Sequence, residues 1–386
     1  MAVTQKGVIL AAEEGTGKGI LSFLKQALSQ SCFDAVLVPA RVAAGDSFAY
    51  FLVQDEAFLE EASPLPPIMT VQGARVISRL TKRGKGKKRI AVVMRPCEAR
   101  ATIELAKLGQ VDLENMTLIT VDCPGVMPLS DYFKDPTKGD EVFKDACQAW
   151  NSKPMRPACR ICDKFSASGG EDLHVGTLGT GSGKILIIPR SAKGEDMLNK
   201  LGIPLEGDIS AWKTNVKSLT EERKKERKQA NESLRANIEG IDKLTGAFSA
   251  CINCHNCMRV CPICYCQQCN FDSDKMKFTF GDYITRAEAS GSLTVPTDTL
   301  LFHIGRMLHM SLSCVSCGMC EDACPTAIRV AQIFTLVGDR NQEAFDYVPG
   351  RNVDELLPLT TFEQEEFLEV EQSYAGASAK QERQDD

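Results

Sequence analysis

The sequence predicts an α/β domain with a parallel or mixed sheet, followed by a mainly helical, cysteine-rich domain. Short apolar segments alternate with segments of helical periodicity over the first two hundred or so of the 386 residues. Eleven of the 17 cysteines fall in the later part of the chain, and eight of these form two near-copies of one pattern. We therefore expect an α/β domain at 1–210, a helical linker at 211–245, a helical cysteine-rich domain at 246–345, and a tail at 346–386 that is largely disordered or docks a partner.

The α/β prediction depends on the order of the first elements. An apolar strand at 8–12 is followed by a glycine-rich turn, a helix at 20–28 and a second strand at 34–39. Such a unit indicates parallel strands, because a helical crossover returns the chain in the same direction. Further elements are predicted at the following positions: a helix at 71–81, a strand at 88–94, a helix at 101–109 and strands at 118–122 and 184–188.

The predicted linker is charged and poor in glycine between residues 218 and 243. Ser218 and Glu221 have the spacing of a capping box, so we expect the helix to begin there. Its basic run at 223–228 is interrupted by glutamate, which is typical of a solvated helix face.

Each cysteine repeat has the form C-x2-C-x2-C-x3-C-P, the pattern of bacterial iron–sulfur proteins with two clusters. In such proteins the fourth cysteine binds the other cluster, and thiolates are the ligands that iron prefers. Two 4Fe–4S clusters are predicted, one on Cys251, Cys254, Cys257 and Cys324, the other on Cys314, Cys317, Cys320 and Cys261. A helix is expected at 299–312, within the 52 residues that separate the repeats, which favours a helical ferredoxin module over a compact one.

Four cysteines outside the repeats are candidates for a third metal site. Cys97 and Cys123 each follow a predicted strand, and Cys159 and Cys162 form a C-x-x-C pair. Parallel strands place such turns at one edge of the sheet. Two alternatives remain open from spacing alone: Cys97 and Cys123 are inert buried residues, or the C-x-x-C pair acts alone in redox chemistry.

The sequence gives weaker evidence on whether the other cysteines and two histidines bind metal. Cys264, Cys266 and Cys269 would leave a tetrahedral site one ligand short, and Cys147 is a candidate for the fourth. Cys32 is expected in the core. His303 and His309 are expected to pack or to hydrogen-bond a ligand rather than to bind metal.

Composition and charge argue against several classes of function. The net charge of −6 argues against a nucleic-acid partner. A basic segment leading into an apolar stretch is not seen at the start, and the longest apolar runs are too short for a membrane span. Cysteines without an export signal indicate a reducing compartment, so a cytoplasmic protein is expected.

A glycine-rich turn lies between the first strand and the first helix. Gly15, Gly17 and Gly19 would allow backbone N–H groups to approach a phosphate. The turn is neither a Walker loop, because Lys18 is followed by glycine, nor a regular dinucleotide fingerprint. Taken alone, it is equally consistent with a tight turn.

Several segments together resemble the beta subunits of deazaflavin-reducing hydrogenases and of formate dehydrogenases. The resemblance covers about residues 5–205. It is carried by the following segments: 15–21, 34–37, 95–98, 122–125, 159–163, 173–177 and 185–190. Residues 299–306, before the second repeat, are similar to the small iron–sulfur subunit of heterodisulfide reductases.

The resemblance implies FAD and a further 4Fe–4S cluster held by Cys97, Cys123, Cys159 and Cys162. It implies flavin contacts from the 15–19 turn, from the 177–183 loop and from cations that offset phosphate or reduced-flavin charge. The candidate flavin-binding residues are Gly15, Thr16, Gly17, Lys18, Gly19, Arg95, Thr177, Gly179, Gly181 and Arg190.

The function that the resemblance implies is electron transfer within an anaerobic oxidoreductase complex. The chain would relay electrons between 4Fe–4S clusters and a deazaflavin or nicotinamide hydride carrier, or a partner subunit of the formate dehydrogenase, hydrogenase or heterodisulfide-reductase type. The sequence departs from the family in two ways: the ferredoxin module comes last in the chain, and 95–98 reads Arg-Pro-Cys-Glu in place of Thr-Pro-Cys-Gln. These departures leave the identity of the external carrier open. The alternatives are an iron–sulfur wiring subunit without flavin and a zinc-stabilised adaptor.

Overall fold

A computed structural model describes residues 6–361 except 182, 277 and 293–298. The chain divides into two compact units, of which the first ends at Val353. The described part of the second unit, 354–361, contains a short 3-10 turn at Pro358–Thr360. The predicted polar tail beyond residue 361 lies outside the described residues.

An eight-stranded mixed sheet forms the centre of the first unit, in the order β3-β2-β4-β5-β6-β7-β1-β8. The strands are β1 Lys6–Ala11, β2 Ala35–Arg41, β3 Phe48–Val53, β4 Ile90–Met94, β5 Met116–Val121, β6 Leu173–Gly176, β7 Lys184–Pro189 and β8 Gly207–Asp208. Strands β2, β4, β5 and β6 pair in parallel, and the other pairings are antiparallel. The expected α/β domain with a mixed sheet is confirmed.

The pairing of β1 differs from the prediction of neighbouring parallel strands. β1 runs in the same direction as β2, but β4, β5, β6 and β7 lie between them. Its neighbours are antiparallel, with Val8 opposite Ile187 on β7 and Gly7 opposite Gly207 on β8. β7, which forms an antiparallel pair with β6, occupies the position beside β1 where a β-α-β unit would have placed β2.

Helices flank this sheet and build the later part of the unit. In the described residues they are α1 Thr16–Ser29, α2 Gly73–Leu80, α3 Pro96–Lys107, α4 Leu129–Tyr132, α5 Pro136–Ala149, α6 Pro157–Arg160, α7 Ala192–Lys200, α8 Ser210–Ile238, α9 Ile241–Phe248, α10 Asn256–Arg259, α11 Phe280–Ser290, α12 Thr299–Met310, α13 Met319–Asp322 and α14 Val330–Ala344. Short 3-10 turns occur at Glu56–Glu61, Asn270–Asp272 and Asp274–Met276. No helix in the described part of the chain combines the length and apolar character needed to cross a bilayer.

The two faces of the sheet pack against different partners, because successive side chains of a strand point to opposite faces. On one face, residues such as Val93 and Val121 pack on α1 and α7. On the other face, Val92 and Leu118 share a core with α2, α3 and the cysteine-rich helices. The cysteine-rich region is thereby anchored on the α/β sheet by one continuous apolar core, in which each fully buried large side chain contributes about 1.5–3 kcal/mol.

Helix α8 begins at Ser210, eight residues before the predicted start. Ser218 and Glu221 therefore lie inside the helix, and the predicted capping box is wrong. Trp212 is buried near the start of α8 and fixes it on β7.

The prediction of a solvated basic face on α8 is also corrected. The side chain of Arg223 is 2% exposed and donates to the Cys162 carbonyl over 3.1 Å. Arg227 donates to both carboxylate oxygens of Asp339 on α14 over 2.6 and 2.8 Å. The linker helix thus joins the α/β elements to the cysteine-rich helices, while its lysines face solvent.

Candidate functional site

Four cysteines of the α/β region line one cavity at the carboxyl edge of the parallel strands. Cys97 lies in the first turn of α3, directly after β4, and Cys123 follows β5. Cys159 lies on α6 and Cys162 two residues after its end. All four side chains border the same cavity, as parallel strands ending at one edge would require. We refer to these four cysteines as the third group.

Gly125 allows the two halves of the third group to meet. Its φ of 123° lies in the region that favours glycine. A Cβ at this position would lie 2.9 Å from the Cβ of Cys159 and 2.8 Å from Cγ of Met155. The loop after Cys123 can therefore approach α6 only with glycine here.

Burial raises the pKa of three thiols of the third group, those of Cys97, Cys123 and Cys162. Burial raises the pKa of Cys162, and burial together with Glu98 and Cys317 raises that of Cys97 well above its ordinary value. Burial also raises the pKa of Cys123 to about 11, with Cys159 adding to the effect and Arg95 opposing it. Coordination to a metal would reverse this increase in pKa, because a coordinating thiol is deprotonated outright.

A second group unites one cysteine of the first repeat with three of the second. Cys261, Cys314, Cys317 and Cys320 line a single, mostly apolar cavity. Burial and the nearby Cys261 sulfur raise the pKa of Cys314 to about 11 and that of Cys317 to about 12. The structure thus places the fourth cysteine of the first repeat with the second repeat, as the spacing predicted.

A first group has the complementary membership of Cys251, Cys254, Cys257 and Cys324. Burial raises the pKa of Cys257 to about 11, and the nearby sulfurs of the other three raise it as well, while Arg306 opposes them. Cys324 has the same effect on Cys251. The exchange of fourth cysteines is therefore reciprocal.

Helix α12 presents two polar side chains to the first group. His303 Nε2 lies 3.4 Å from Cys251 Sγ, and the ring stacks on Phe248 at 3.9 Å. Burial and the nearby charge of Arg306 lower the pKa of His303 to about 3, so the imidazole is neutral. The expectation of packing and hydrogen bonding holds for His303, whereas His309 is exposed.

The three groups adjoin one another. Cys317 of the second group also borders the cavity of the third group. Arg306 borders the second cavity and donates from Nη1 to Cys257 of the first group over 3.1 Å. In the described residues no three His, Cys, Asp or Glu side chains converge closely enough to hold a single metal ion. A 4Fe–4S cluster is a larger body, whose four ligands surround a cavity.

A buried carboxylate connects the third group to the glycine-rich loop between β6 and β7. Asp122, next to Cys123, accepts hydrogen bonds from the backbone N–H groups of Thr177 and Leu178 over 2.8 and 3.1 Å. Trp212 Nε1 donates to the same oxygen over 2.8 Å, and His174 Nε2 lies 2.9 Å from the other oxygen. This network fixes the loop against the strand that carries Cys123.

The two predicted glycine-rich segments lie side by side. The N–H of Ala12 donates to the Gly183 carbonyl over 2.7 Å, which joins the turn after β1 to the loop that contains Thr177, Gly179 and Gly181. Gly15 has φ 106° and gives α1 no side-chain cap, so the N–H groups of Thr16, Gly17 and Lys18 face outward at the helix start. Gly19 is buried and contacts Ala12.

Two predicted flavin cations lie away from this turn. Arg190 follows β7 at the opposite edge of the sheet, where its Nε donates to the buried carboxylate of Glu171 over 3.2 Å. Arg95 is buried against the third group and donates to the Pro66 carbonyl. Of the predicted cations, Lys18 alone is on the turn, where Glu13 and Glu14 share the same cleft.

The remaining cysteines do not form the fourth site that was considered. Cys147 packs against the core around α5, whereas Cys264 and Cys269 pack against a different core, so the structure does not bring Cys147 to them. Cys264 Sγ lies 3.3 Å from Met310 Sδ, Cys269 Sγ lies 3.7 Å from Met258 Sδ, and Cys266 is exposed. Cys32 packs against the sheet core as expected.

Sequence reasoning missed two buried arginines. Arg156 lines the third cavity and reaches Asp322 on α13 over 3.4 Å, and Arg306 contacts the first group. The available signal for Arg306 was a charged residue on the apolar face of α12, three positions after His303. Arg156 has no comparable signal, because its partners come from distant parts of the chain.

Comparison with known proteins finds one domain family and several similar proteins. Residues 247–328 match the family model of the 4Fe–4S dicluster domain. The F420-dependent formate dehydrogenase subunit beta of Methanocaldococcus jannaschii is 27% identical over 92% of this chain and 96% of its own length. The F420-dependent formate dehydrogenase 1 subunit beta of Methanococcus maripaludis is 28% identical over 89% and 92%. This chain is homologous to these beta subunits.

The homology confirms the predicted resemblance to formate dehydrogenase beta subunits, and the dicluster domain coincides with the two cysteine repeats. A chain of the xenon-derivatised F420-reducing [NiFe] hydrogenase complex from Methanosarcina barkeri aligns with 62% of this chain and 94% of its own, at 11% identity and a TM-score of 0.45.

Proposed function

We propose that the chain is the flavin- and iron–sulfur-dependent electron-transfer subunit of an anaerobic oxidoreductase complex. The observation that carries the proposal is the placement of twelve cysteines in three groups of four, two of which exchange their fourth cysteines. Each group would hold one 4Fe–4S cluster, which moves single electrons. The homology to formate dehydrogenase beta subunits supports a complex that oxidises formate, with that chemistry supplied by a partner subunit.

FAD would be held by the paired glycine segments. The uncapped start of α1 offers N–H groups and a positive helix end to a diphosphate, and Lys18 lies on the same turn. The 177–183 loop is fixed to Asp122, beside the third group. When bound, a flavin would exchange two electrons with a hydride carrier and single electrons with a cluster. The names of the relatives support a deazaflavin, F420, as that carrier.

The protein's own residues would perform four tasks in this relay. The third-group cysteines bind the cluster nearest the glycine segments, Asp122 orients the loop beside it, and Gly125 permits the close approach of α6. Apolar side chains around the second cavity, such as Phe334 and Met310, keep water from it.

Anaerobic purification followed by measurement of iron, acid-labile sulfide and released flavin tests the proposal. We expect about twelve iron and twelve sulfide per chain, since each 4Fe–4S cluster holds four of each, together with one FAD. Cys97→Ser should remove about one cluster's iron, whereas Cys32→Ser, at a cysteine packed in the sheet core, should remove none. Zinc without acid-labile sulfide would show that the chain is a zinc-stabilised adaptor instead. Unchanged iron content in Cys97→Ser would refute the third group as a set of cluster ligands.

The carrier is identified by titrating the oxidised protein with reduced F420 or with NADH while following the flavin absorbance. We expect bleaching with reduced F420. Bleaching with NADH alone would overturn the assignment of a deazaflavin.

A second candidate function is a wiring subunit without flavin. It is favoured by the positions of Arg95 and Arg190, which lie away from the glycine turn, and by the acidic Glu13 and Glu14 in its cleft. Full iron and sulfide content without released flavin would establish this function in place of the first.

A further inference from the structure

Three buried arginines share an unusual feature. Arg95 and Arg156 are each 3% exposed and Arg306 is 2% exposed, so all three guanidinium groups are removed from water. The Nε of each has no hydrogen-bond partner among the described residues. Buried N–H groups are nearly always paired, because an unpaired donor bears the full desolvation cost. These donors are therefore expected to face an acceptor that the polypeptide does not supply.

Each of the three borders a cysteine cavity. Arg95 and Arg156 line the cavity of the third group, and Arg306 lines that of the second group. Arg306 also donates from Nη1 to Cys257 Sγ and from Nη2 to the Cys257 carbonyl, each over 3.1 Å. Its guanidinium thus lies between the first and second groups.

The case for a missing acceptor is strongest for Arg306, because few anionic side chains lie near its guanidinium. Arg156 reaches Asp322 over 3.4 Å, and Arg95 lies 4.0 Å from Glu98. In the described part of the chain Arg306 forms no such ion pair, and the rings of Phe302 and Phe334 flank it at 5.7 and 4.8 Å. A buried charge without a counter-charge is strongly unfavourable, so the sulfur groups on either side are its only evident counterpart.

We propose that Arg306 is a positioning residue that donates hydrogen bonds to the sulfur atoms of the clusters in the first and second groups and raises their reduction potentials. Arg95 and Arg156 have the same role at the third group. Reduction adds one electron to a cluster already surrounded by thiolates, and no bond or proton is transferred at the arginine. The added negative charge strengthens its hydrogen bonds, so a buried guanidinium favours the reduced form. The inference rests on the proposed clusters.

Potentiometric titration of the anaerobic full-length protein, monitored by low-temperature EPR, tests this role. Each signal is first assigned by Cys→Ser variants in the corresponding group. We expect Arg306→Gln to make reduction of the first-group or second-group cluster about tenfold less favourable, which lowers the midpoint by about 59 mV for a one-electron couple. Arg306→Lys keeps the charge and should show a smaller decrease.

Arg259→Gln is the matched control. Arg259 lies in the same module, two residues after Cys257, but its side chain is 62% exposed and bound to Asp272 at the surface. Its removal should leave the midpoints within a few millivolts of the wild-type values, because solvent screens an exposed charge. The third-group cluster serves as an internal reference in every Arg306 variant.

The outcomes separate this inference from the proposed function. Missing iron and sulfide in the wild-type protein would overturn the clusters themselves. With clusters present, unchanged midpoints in Arg306→Gln would overturn the role of Arg306 and leave the electron-transfer function intact. Loss of a cluster from both the Gln and the Lys variants would assign Arg306 to assembly and would also overturn the proposal.

Discussion

Asp122→Ala is expected to destabilise the α/β region strongly and to release the 177–183 loop. One carboxylate oxygen accepts from Thr177 N, Leu178 N and Trp212 Nε1 over 2.8, 3.1 and 2.8 Å, and the other lies 2.9 Å from His174 Nε2. The contacts with Trp212 and His174 are buried, and those with the Thr177 and Leu178 N–H groups are partly buried. Removal of the carboxylate would leave three N–H donors, the Ser166 hydroxyl and one imidazole without their common partner.

The magnitude follows from the number of donors. Each buried donor left without a partner costs about 1–3 kcal/mol. Three such donors would cost about 3–9 kcal/mol if the surroundings were rigid. Relaxation of the surroundings and the partial exposure of Thr177 and Leu178 reduce this sum. We therefore expect the free energy of unfolding to fall by about 3–5 kcal/mol.

Urea unfolding followed by tryptophan fluorescence measures this loss. The chain has two tryptophans, so Trp150→Phe leaves Trp212, which is bound to Asp122, as the sole reporter. The comparison is made anaerobically with the clusters in place. Asp46→Ala, at an exposed carboxylate in the β2–β3 turn, is the control and should change the unfolding free energy by less than about 0.5 kcal/mol. A loss below about 1 kcal/mol for Asp122→Ala would refute the reasoning.

The same network predicts a pH dependence. Burial alone would raise the pKa of Asp122, but His174, Ser166 and the Thr177 N–H outweigh it and hold the pKa below its ordinary value. A carboxyl group with a lowered folded-state pKa stabilises the protein above its unfolded-state pKa of about 3.9, and this stability is lost as the pH falls through the folded-state value. The difference between wild type and Asp122→Ala should therefore be constant near neutrality and shrink below about pH 4.

Three further substitutions test the cysteine groups and the connection between them. Cys261→Ser should remove about four iron, those of the second-group cluster, whereas Cys266→Ser, at an exposed cysteine outside that cavity, should keep them. Equal iron loss in both variants would contradict the assignment of Cys261 to the second group. Gly125→Ala should cost about 1–3 kcal/mol and reduce third-group iron, because its φ is 123° and its Cβ would collide with α6; normal iron and stability would argue against this approach. Arg227→Met should cost about 1–3 kcal/mol in urea unfolding through the lost hydrogen bonds to the partly exposed carboxylate of Asp339 on α14. Lys225→Met, at an exposed neighbour, should cost under about 0.5 kcal/mol.

The cysteine groups were predictable because their spacing is local. A C-x2-C-x2-C-x3-C-P repeat brings three thiols together within one loop, and the fourth is directed away by the turn before proline. The third group was predictable in part, because Cys97 and Cys123 follow strands that the apolar pattern identifies. Its closure by Cys159 and Cys162 depends on a loop conformation that requires Gly125, which spacing does not encode.

The sheet order and the buried charges were not predictable in the same way. β1 pairs with β7, about 175 residues later, and a strand pattern does not specify its partner. Asp122 was seen as part of a motif, but its hydrogen bonds to Thr177 and Trp212 join three distant segments. Arg95 and Arg190 were assigned to the flavin as available cations, whereas buried carbonyl and carboxylate acceptors hold them elsewhere.

The contacts between groups also give the relay an order. The third group adjoins Asp122 and the glycine loop, and it meets the second group at Cys317. The second group meets the first across Arg306. Ile252, inside the first repeat, is 60% exposed, so an apolar side chain beside the first group is open to solvent at the far end of the series. An electron that enters beside the glycine loop would therefore pass through the third and second groups before it reaches a partner at the first.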